Sequence, residues 1–259
     1  MKKLIFFIVL ILFSGGVMAK EVKIKTKDGF ELVGFIDYPQ QKEDKYPVVV
    51  FAHQFGTTHM IWSDFAKELR KMGFATLLID LRGHGLSVMQ NGKENKIVFK
   101  PSYNSLLDLV NFFKKSWKKV RFEKIPEDIS LWIDYLLDNE KIDSENIFLI
   151  GASLGGISII PVVAKQDIKA VVSISPGSEF VPGKENVELA LASYMNPVLY
   201  ISSYNDSLGA NKTVNRLMKI TNNGTAIFVS GTGHGVILLP KVKEYIFLFL
   251  KKALRKEDL

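Results

Sequence analysis

A serine between two glycines is the first feature of this sequence that could do chemistry. Residues 147–156 read IFLIGASLGG, so Ser153 follows an apolar run of strand type and precedes residues that can continue as a helix. A serine on so sharp a turn has a strained backbone, and side chains in place of Gly151 and Gly155 would collide. The turn would expose the Ser153 hydroxyl as a nucleophile and direct the first helical N–H groups towards an oxyanion. The alternative is a purely structural turn.

An acid and a histidine follow two later predicted strands. Asp206 comes just after the strand predicted at 197–202, and His234 lies in the glycine-rich loop 231–235. A histidine can take the proton of a serine hydroxyl, and a carboxylate can orient the histidine ring, so the three residue types form a candidate catalytic triad. For Asp206 taken alone, a helix N-cap or a turn residue is also a reasonable interpretation.

A loop after the strand predicted at 46–52 reads His-Gln-Phe-Gly and could supply an oxyanion donor. We expect the backbone N–H groups of Phe55 and of Leu154, the residue after the serine, to form the oxyanion hole together. His53 is interpreted as structural, with its ring bonded to the loop backbone. In the later stretch DLRGHGLS, Asp80 and Arg82 are expected to fix loops through charge-assisted hydrogen bonds, and His84 is interpreted as a loop residue.

The elements that must position these residues alternate between buried strands and helices. A hairpin with an Asp-Gly turn is predicted over 22–36. Buried strands alternating with helices predict an α/β fold with a mostly parallel, doubly wound sheet and flanking helices. The predicted strands are 46–52, 74–79, 147–150, 170–174, 197–202 and 225–229, and the predicted helices are 61–72, 127–137, 241–256 and one after Ser153 that Pro161 kinks.

Residues 88–125 do not belong to this alternation. They begin polar and then carry apolar residues at helical spacing, and 114–124 holds six basic residues against one acid. One interpretation is an inserted helix that packs on the domain with a solvated basic face. The other is a lid or membrane-facing element at the mouth of the site.

The first nineteen residues have the pattern of a signal peptide. Two lysines precede an apolar run, and small residues stand before an expected cleavage site near Ala19. We therefore expect export to the periplasm or the exterior, with 20–259 as a single domain. Cleavage removes two lysines and no acid, so the net charge falls from +7 to +5. An uncleaved anchor is the alternative. The chain has no cysteine, which excludes disulfides and a cysteine nucleophile.

Taken together, the motifs resemble the α/β-hydrolase superfamily, and within it the serine esterases and dienelactone-hydrolase-like proteins. The resemblance extends over nearly the whole chain after residue 19, through T-x-D-G-x-x-L, H-x-F-G, D-x-R-G-H-G-x-S, G-A-S-L-G-G, N-D and G-H-G. The order serine, aspartate, histidine is that of the superfamily. Two departures stand out: the family usually has His-Gly where this chain has His53-Gln54, and dienelactone hydrolases use cysteine where this chain has Ser153. The short excursion 175–196 resembles a small or minimal cap.

The resemblance implies an exported carboxylesterase-like serine hydrolase that acts through an acyl-enzyme. Ser153, Asp206 and His234 would form the triad, and Phe55 and Leu154 the oxyanion hole. It implies no metal or organic cofactor, no nucleic-acid partner, and a small-molecule acyl ester as substrate; a weak contact with a membrane surface and the oligomeric state stay open. The alternatives are other acyl substrates (thioester, amide, lactone or cell-envelope acyl groups) and an inactive binding protein of the same fold.

Overall fold

A single sheet organises the part of the chain that the computed structural model describes, residues 19–100 and 105–255. Its strands within these ranges are β1 (Lys20–Lys25), β2 (Phe30–Asp37), β3 (Tyr46–Ala52), β4 (Ala75–Ile79), β5 (Met89–Gln90), β6 (Lys93–Glu94), β7 (Ile142–Ala152), β8 (Ala170–Ile174), β9 (Val198–Ser203) and β10 (Gly224–Val229). The α-helices are α1 (Ser63–Lys71), α2 (Leu106–Val120), α3 (Ile125–Leu137), α4 (Leu154–Ser158), α5 (Lys184–Ser193), α6 (Ala210–Leu217) and α7 (Leu239–Arg255). Short 3-10 helices occupy His59–Trp62, Phe122–Lys124, Ile160–Ala164 and Gly235–Leu238.

The strand order is β10-β9-β8-β7-β3-β4-β2-β5-β6, and β1 pairs with β2. The run from β4 to β10 is parallel, whereas β2 lies antiparallel to β4 and to β1. The predicted α/β fold with its mostly parallel sheet is therefore confirmed, as is the opening hairpin.

Helices cover both faces of the sheet, which explains why its central strands are apolar throughout. In β3, Val48 and Val50 face the apolar layer that contains α3, while Val49 and Phe51 face the layer formed with α1 and α7. Trp132 of α3 is fully buried in the first of these layers. Because both faces are covered, the carboxyl ends of the parallel strands are left to carry a site.

Several boundaries differ from the predicted ones for local reasons. The strand predicted at 147–150 begins at Ile142, and α3 begins at Ile125 because its first turn tolerates Pro126. Where a kink at Pro161 was predicted, the α-helix after Ser153 already ends at Ser158, and a separate 3-10 helix that includes Pro161 follows.

The small hairpin of β5 and β6 was missed, because strands of two residues are too short to show an apolar alternation. The Asn-Gly turn at 91–92, with both φ angles positive, was the available signal.

The predicted signal peptide lies outside the described residues except for Ala19. Among the described residues, no helix combines the length and the apolar character needed to cross a membrane.

Candidate active site

Ser153 lies on a strained turn between β7 and α4. Its φ and ψ are 50° and −110°, a conformation that costs energy for a residue with a side chain. A Cβ on Gly151 would lie 2.6 Å from the carbonyl of Gly155, and one on Gly155 would collide with the backbone of Ala52 and His53 in the loop after β3. Both flanking glycines are thus required by close backbone approach, as the sequence predicts.

The structure brings Ser153, His234 and Asp206 into one hydrogen-bonded chain, although they follow three different strands. His234 Nε2 lies 2.8 Å from Ser153 Oγ, and Nδ1 lies 3.0 and 2.9 Å from the two carboxylate oxygens of Asp206. An ionised carboxylate only accepts hydrogen bonds, so the ring donates from Nδ1 and leaves Nε2 to accept from the serine hydroxyl. The Asp206 side chain is fully buried, and that of His234 is 17% exposed.

The surroundings of Asp206 keep it ionised. Burial by itself would raise its pKa, but hydrogen bonds from His234 and from the backbone N–H groups of Leu208 and Ala210 lower it below its ordinary value of 3.8. The Leu208 N–H lies 2.9 Å from Oδ1. Asp206 therefore also does what the alternative interpretation expected, because it shapes the turn that follows β9.

The two residues of the expected oxyanion hole line the same cavity as the serine. Phe55 and Leu154 both line it, and within the described residues no acceptor is bonded to either backbone N–H. The next N–H, that of Gly155, is instead bonded to the carbonyl of His53 at 3.2 Å. This contact fixes the start of α4 against the loop after β3, and so holds the two residues of the expected oxyanion hole in adjoining segments.

Gln54 has a role that the sequence analysis did not find. Its side-chain Oε1 accepts a hydrogen bond from the backbone N–H of Val236 at 3.1 Å. Its backbone carbonyl accepts one from the Thr57 hydroxyl at 2.8 Å. A Cβ on Gly235, whose φ is 66°, would collide with the same Oε1. The glutamine that replaces the usual glycine therefore ties the loop of Phe55 to the loop of His234.

His53 and His84 are buried and structural. His53 Nδ1 donates to the Gln54 carbonyl at 2.8 Å, and Nε2 accepts the N–H of Leu81 at 3.0 Å, which confirms its interpretation. Burial lowers the pKa of His53 to about 4 and that of His84 to about 3. His84 Nδ1 lies 3.1 Å from the carbonyl of Arg82. Both rings are thus neutral over the physiological range of pH.

Arg82 connects three parts of the fold through hydrogen bonds. Its guanidinium makes paired bonds to Asp128 of α3 at 2.6 and 2.7 Å, a bond to Asp28 in the first hairpin turn at 3.0 Å, and one to the Val120 carbonyl at 3.2 Å. The side chain is 1% exposed. The expected loop-fixing role of Arg82 is confirmed, and Asp128 is the partner that the sequence did not reveal.

Asp80 anchors the loop before α1 through a histidine that the sequence analysis overlooked. Its Oδ1 accepts both the ring Nδ1 of His59 at 2.9 Å and the backbone N–H of His59 at 2.8 Å, and its Oδ2 accepts the N–H of Leu86 at 2.8 Å. Burial alone would raise the pKa of Asp80, but these bonds lower it. The ring of His59 stacks on Phe35.

A cavity of about 730 Å³ opens beside Ser153 and His234. Most of its walls are apolar, and α2 contributes a large part of them. The apolar residues that α2 adds are Leu106, Leu109, Val110, Phe113 and Trp117. The same helix buries Ser116 and Val120 against the domain and exposes lysines. Residues 88–125 therefore combine two features that the sequence interpretations kept apart, a packed helix and an element at the mouth of the site.

A known sequence family matches most of the chain. The family described as serine aminopeptidase, S33, matches residues 43–223. The chain belongs to this family. As α/β hydrolases, the S33 proteins agree with the resemblance stated from the motifs. The matched range includes Ser153 and Asp206 and ends before His234.

Curated relatives of this S33 chain are distant. A 31.7 kDa protein from the traX-finO intergenic region of Escherichia coli is 24% identical over 189 residues, which cover 71% of this chain and 57% of that protein. The polyketide transferase ATR5 of Stachybotrys chlorohalonatus is 26% identical over 181 residues, covering 68% and 52%. The chain thus spans somewhat more than half the length of the curated relatives it matches.

Solved structures share the fold over nearly the full length. Est1E from Butyrivibrio proteoclasticus has a TM-score of 0.65 at 19% identity and covers 91% of this chain and 99% of its own. Acetyl xylan esterase 1 from Thermoanaerobacterium has a TM-score of 0.67 at 16% identity, with coverage of 90% and 82%. These similarities confirm the predicted α/β-hydrolase fold.

Proposed function

We propose that this S33 family member is a serine hydrolase that cleaves carboxylic esters through a covalent acyl-enzyme. The observation that carries the proposal is the chain of hydrogen bonds from Ser153 Oγ through His234 to Asp206, at 2.8 and 2.9 Å. A serine hydroxyl is a weak nucleophile until a base takes its proton, and this histidine is within reach of that proton.

The proposed first half-reaction forms the acyl-enzyme. Ser153 Oγ attacks the ester carbonyl while His234 Nε2 takes its proton, and Asp206 stabilises the resulting imidazolium. The negative charge that develops on the carbonyl oxygen is held by the N–H groups of Phe55 and Leu154. The imidazolium then protonates the leaving alcohol. In the second half-reaction, water replaces the alcohol and follows the same steps to release the acid. No step requires a metal or an organic cofactor.

The lining of the cavity favours esters over the amino-terminal peptides that the family's description suggests. An aminopeptidase must hold the ammonium group of its substrate, for which a carboxylate is the natural partner. Among the described residues that line the cavity there is no Asp or Glu, and the one Lys or Arg is Lys114. The structural neighbour Est1E has been solved with ferulic acid, an aromatic acid, bound to it. In this chain, Phe55, Phe99 and Phe113 line the cavity and could pack against an aromatic acyl group.

The cellular location of the protein is a separate proposal. We expect export and cleavage near Ala19, which N-terminal sequencing of the secreted protein would test. An intact Met1 on a membrane-bound form would contradict cleavage.

The activity is tested with p-nitrophenyl esters of increasing chain length and one aromatic acyl group, beside one thioester and one amide. We expect ester turnover and labelling by an organophosphonate, both abolished in Ser153→Ala. Ser178→Ala and Ser207→Ala are matched controls, because these serines line the same cavity without contacting His234. Labelling that persists in Ser153→Ala would refute the nucleophile. Faster cleavage of the thioester or amide would move the protein to another acyl substrate, and no turnover would favour a binding protein.

A further inference from the structure

The charged lining of the cavity points to a second part of the substrate. Lys114 is the one Lys, Arg, Asp or Glu among the described residues that line the cavity beside Ser153. It lies on α2, more than one turn before the helix ends at Val120. The favourable interaction of a cation with a helix C-terminus is confined to the last turn, so it does not account for a lysine here.

A shallow depression lies next to the cavity along α2. Its volume is about 430 Å³, and its lining consists of Lys114, Trp117, Lys118, Arg121 and Glu123. Lys114 and Trp117 line both hollows. A ligand that fills the apolar cavity and extends past these two side chains would therefore reach the basic surface of the depression.

Glu123 neutralises only part of this surface. It accepts bonds from Arg121 Nε at 3.0 Å and from Trp117 Nε1 at 2.9 Å. Burial would raise the pKa of Glu123, but these bonds and one from its own backbone N–H lower it, so it is ionised and engaged with Arg121. Within residues 19–100 and 105–255, neither Lys114 nor Lys118 has a carboxylate partner.

Two unpaired lysines at positions i and i+4 stand next to each other on a helix and repel. An anion between them would relieve this repulsion. The aliphatic stems of both side chains can still cover apolar parts of a ligand.

We propose that the depression binds an anionic group at the far end of the substrate. Resting on the proposed ester hydrolysis, this inference makes the substrate an amphiphile, with an apolar arm in the cavity and a carboxylate or phosphate beside Lys114 and Lys118. The apolar walls and the two ammonium groups recognise different parts of one molecule. An ester without the distal anion would be recognised only by the apolar walls.

The test compares p-nitrophenyl octanoate with p-nitrophenyl hydrogen suberate, which has the same chain length and a terminal carboxylate. The series is then extended to diacid half-esters of six to twelve carbons. At low ionic strength we expect kcat/KM for the best half-ester to exceed that of the neutral ester about 3- to 10-fold, mainly through KM. The ratio should fall towards one in Lys114→Met and in Lys118→Met, and towards one at high salt. Lys115→Met is the matched control, since this exposed lysine of α2 lines neither hollow and should keep the ratio.

A vesicle experiment separates a soluble anion from a lipid headgroup. Co-sedimentation with phosphatidylglycerol vesicles that depends on Lys114 and Lys118, without any preference among the soluble esters, would overturn the inference in favour of a membrane contact. Equal kcat/KM for both ester types, with no vesicle binding, would refute it as well. If octanoate is cleaved through Ser153 in either case, the proposed function stands. If no ester is cleaved through Ser153, the proposed function itself fails.

Discussion

Two histidine–aspartate pairs occur in this protein with almost the same local geometry and different surroundings. His234 Nδ1 lies 2.9 Å from Asp206, and His59 Nδ1 lies 2.9 Å from Asp80; both carboxylates are fully buried, and the rings are 17% and 14% exposed. The second nitrogen distinguishes them. That of His234 faces a serine hydroxyl at the cavity, whereas the ring of His59 stacks on Phe35 and lies outside the cavity lining.

Under the proposed function, an oriented imidazole is not sufficient to make a catalytic base. A base needs a proton donor within reach and room for a substrate beside it. The strained turn that carries Ser153 supplies the first condition, and α2 helps to supply the second by walling the cavity. At His59 the same pairing anchors a loop.

Replacing each histidine in turn should have the largest effect. We expect His234→Gln to lower kcat for esters by about 10⁴-fold or more, because the serine loses its base. His59→Gln should retain kcat within a few-fold and lower the free energy of unfolding by about 1–3 kcal/mol, since Asp80 loses a charge-assisted bond. Steady-state kinetics with urea unfolding of both variants checks this. Comparable losses of kcat in the two would remove the distinction.

Replacing Arg82 should lower the stability of the protein without changing its activity. Arg82→Met leaves the buried carboxylate of Asp128 without its partner, and we expect a loss of about 3–5 kcal/mol in the free energy of unfolding. Activity per folded molecule should be preserved. The double variant with Asp128→Leu is the control, because removing both charges should cost less than the sum of the two single changes. A lower kcat in folded Arg82→Met would place this network in the catalytic machinery instead.

Acid should destabilise the protein through its two buried histidines. Their ordinary pKa is 6.5, and burial lowers it to about 4 in His53 and about 3 in His84. Below pH 6.5 the unfolded chain therefore binds protons that the folded protein does not, and stability falls as pH decreases towards 4. Each histidine contributes a slope of up to about 1.4 kcal/mol per pH unit.

The pH dependence is checked by urea unfolding between pH 7 and 4. His84→Asn keeps a side-chain donor for the Arg82 carbonyl and should reduce the slope by about one proton, whereas His59→Gln serves as a control outside this pair. An unchanged slope in His84→Asn would mean that this ring is not kept neutral by burial.

Gln54 should give the smallest effect. Gln54→Met keeps the length of the side chain but cannot accept the Val236 N–H as an amide oxygen does, so we expect a loss of about 1 kcal/mol in stability and a several-fold lower kcat. Gln54→Glu, which keeps the acceptor, is the comparison variant. If both retain the kcat of the unmodified protein, the bond between the two loops does not position the site.

Much of the fold was predictable because its signals are local. The apolar runs of β3 and β4, the Asp-Gly hairpin turn and the glycine-flanked serine depend on residues close together in the sequence. The hairpin of β5 and β6 was not predicted because its two-residue strands are too short to show an alternation. His59 also escaped, since the residue that gives it a role, Asp80, lies 21 positions away.

The sequence by itself determined which groups could react and where each would stand along its strand. Turn geometry and strand ends follow from steric effects between neighbours, so Ser153, Asp206 and His234 could be named from the chain alone. Only the tertiary structure decided which aspartate–histidine pair meets a serine, because Ser153 and His234 are 81 residues apart and touch through the order of the strands. The same long-range packing brought Gln54 against the loop of His234 and α2 against the cavity, contacts that no local pattern encodes.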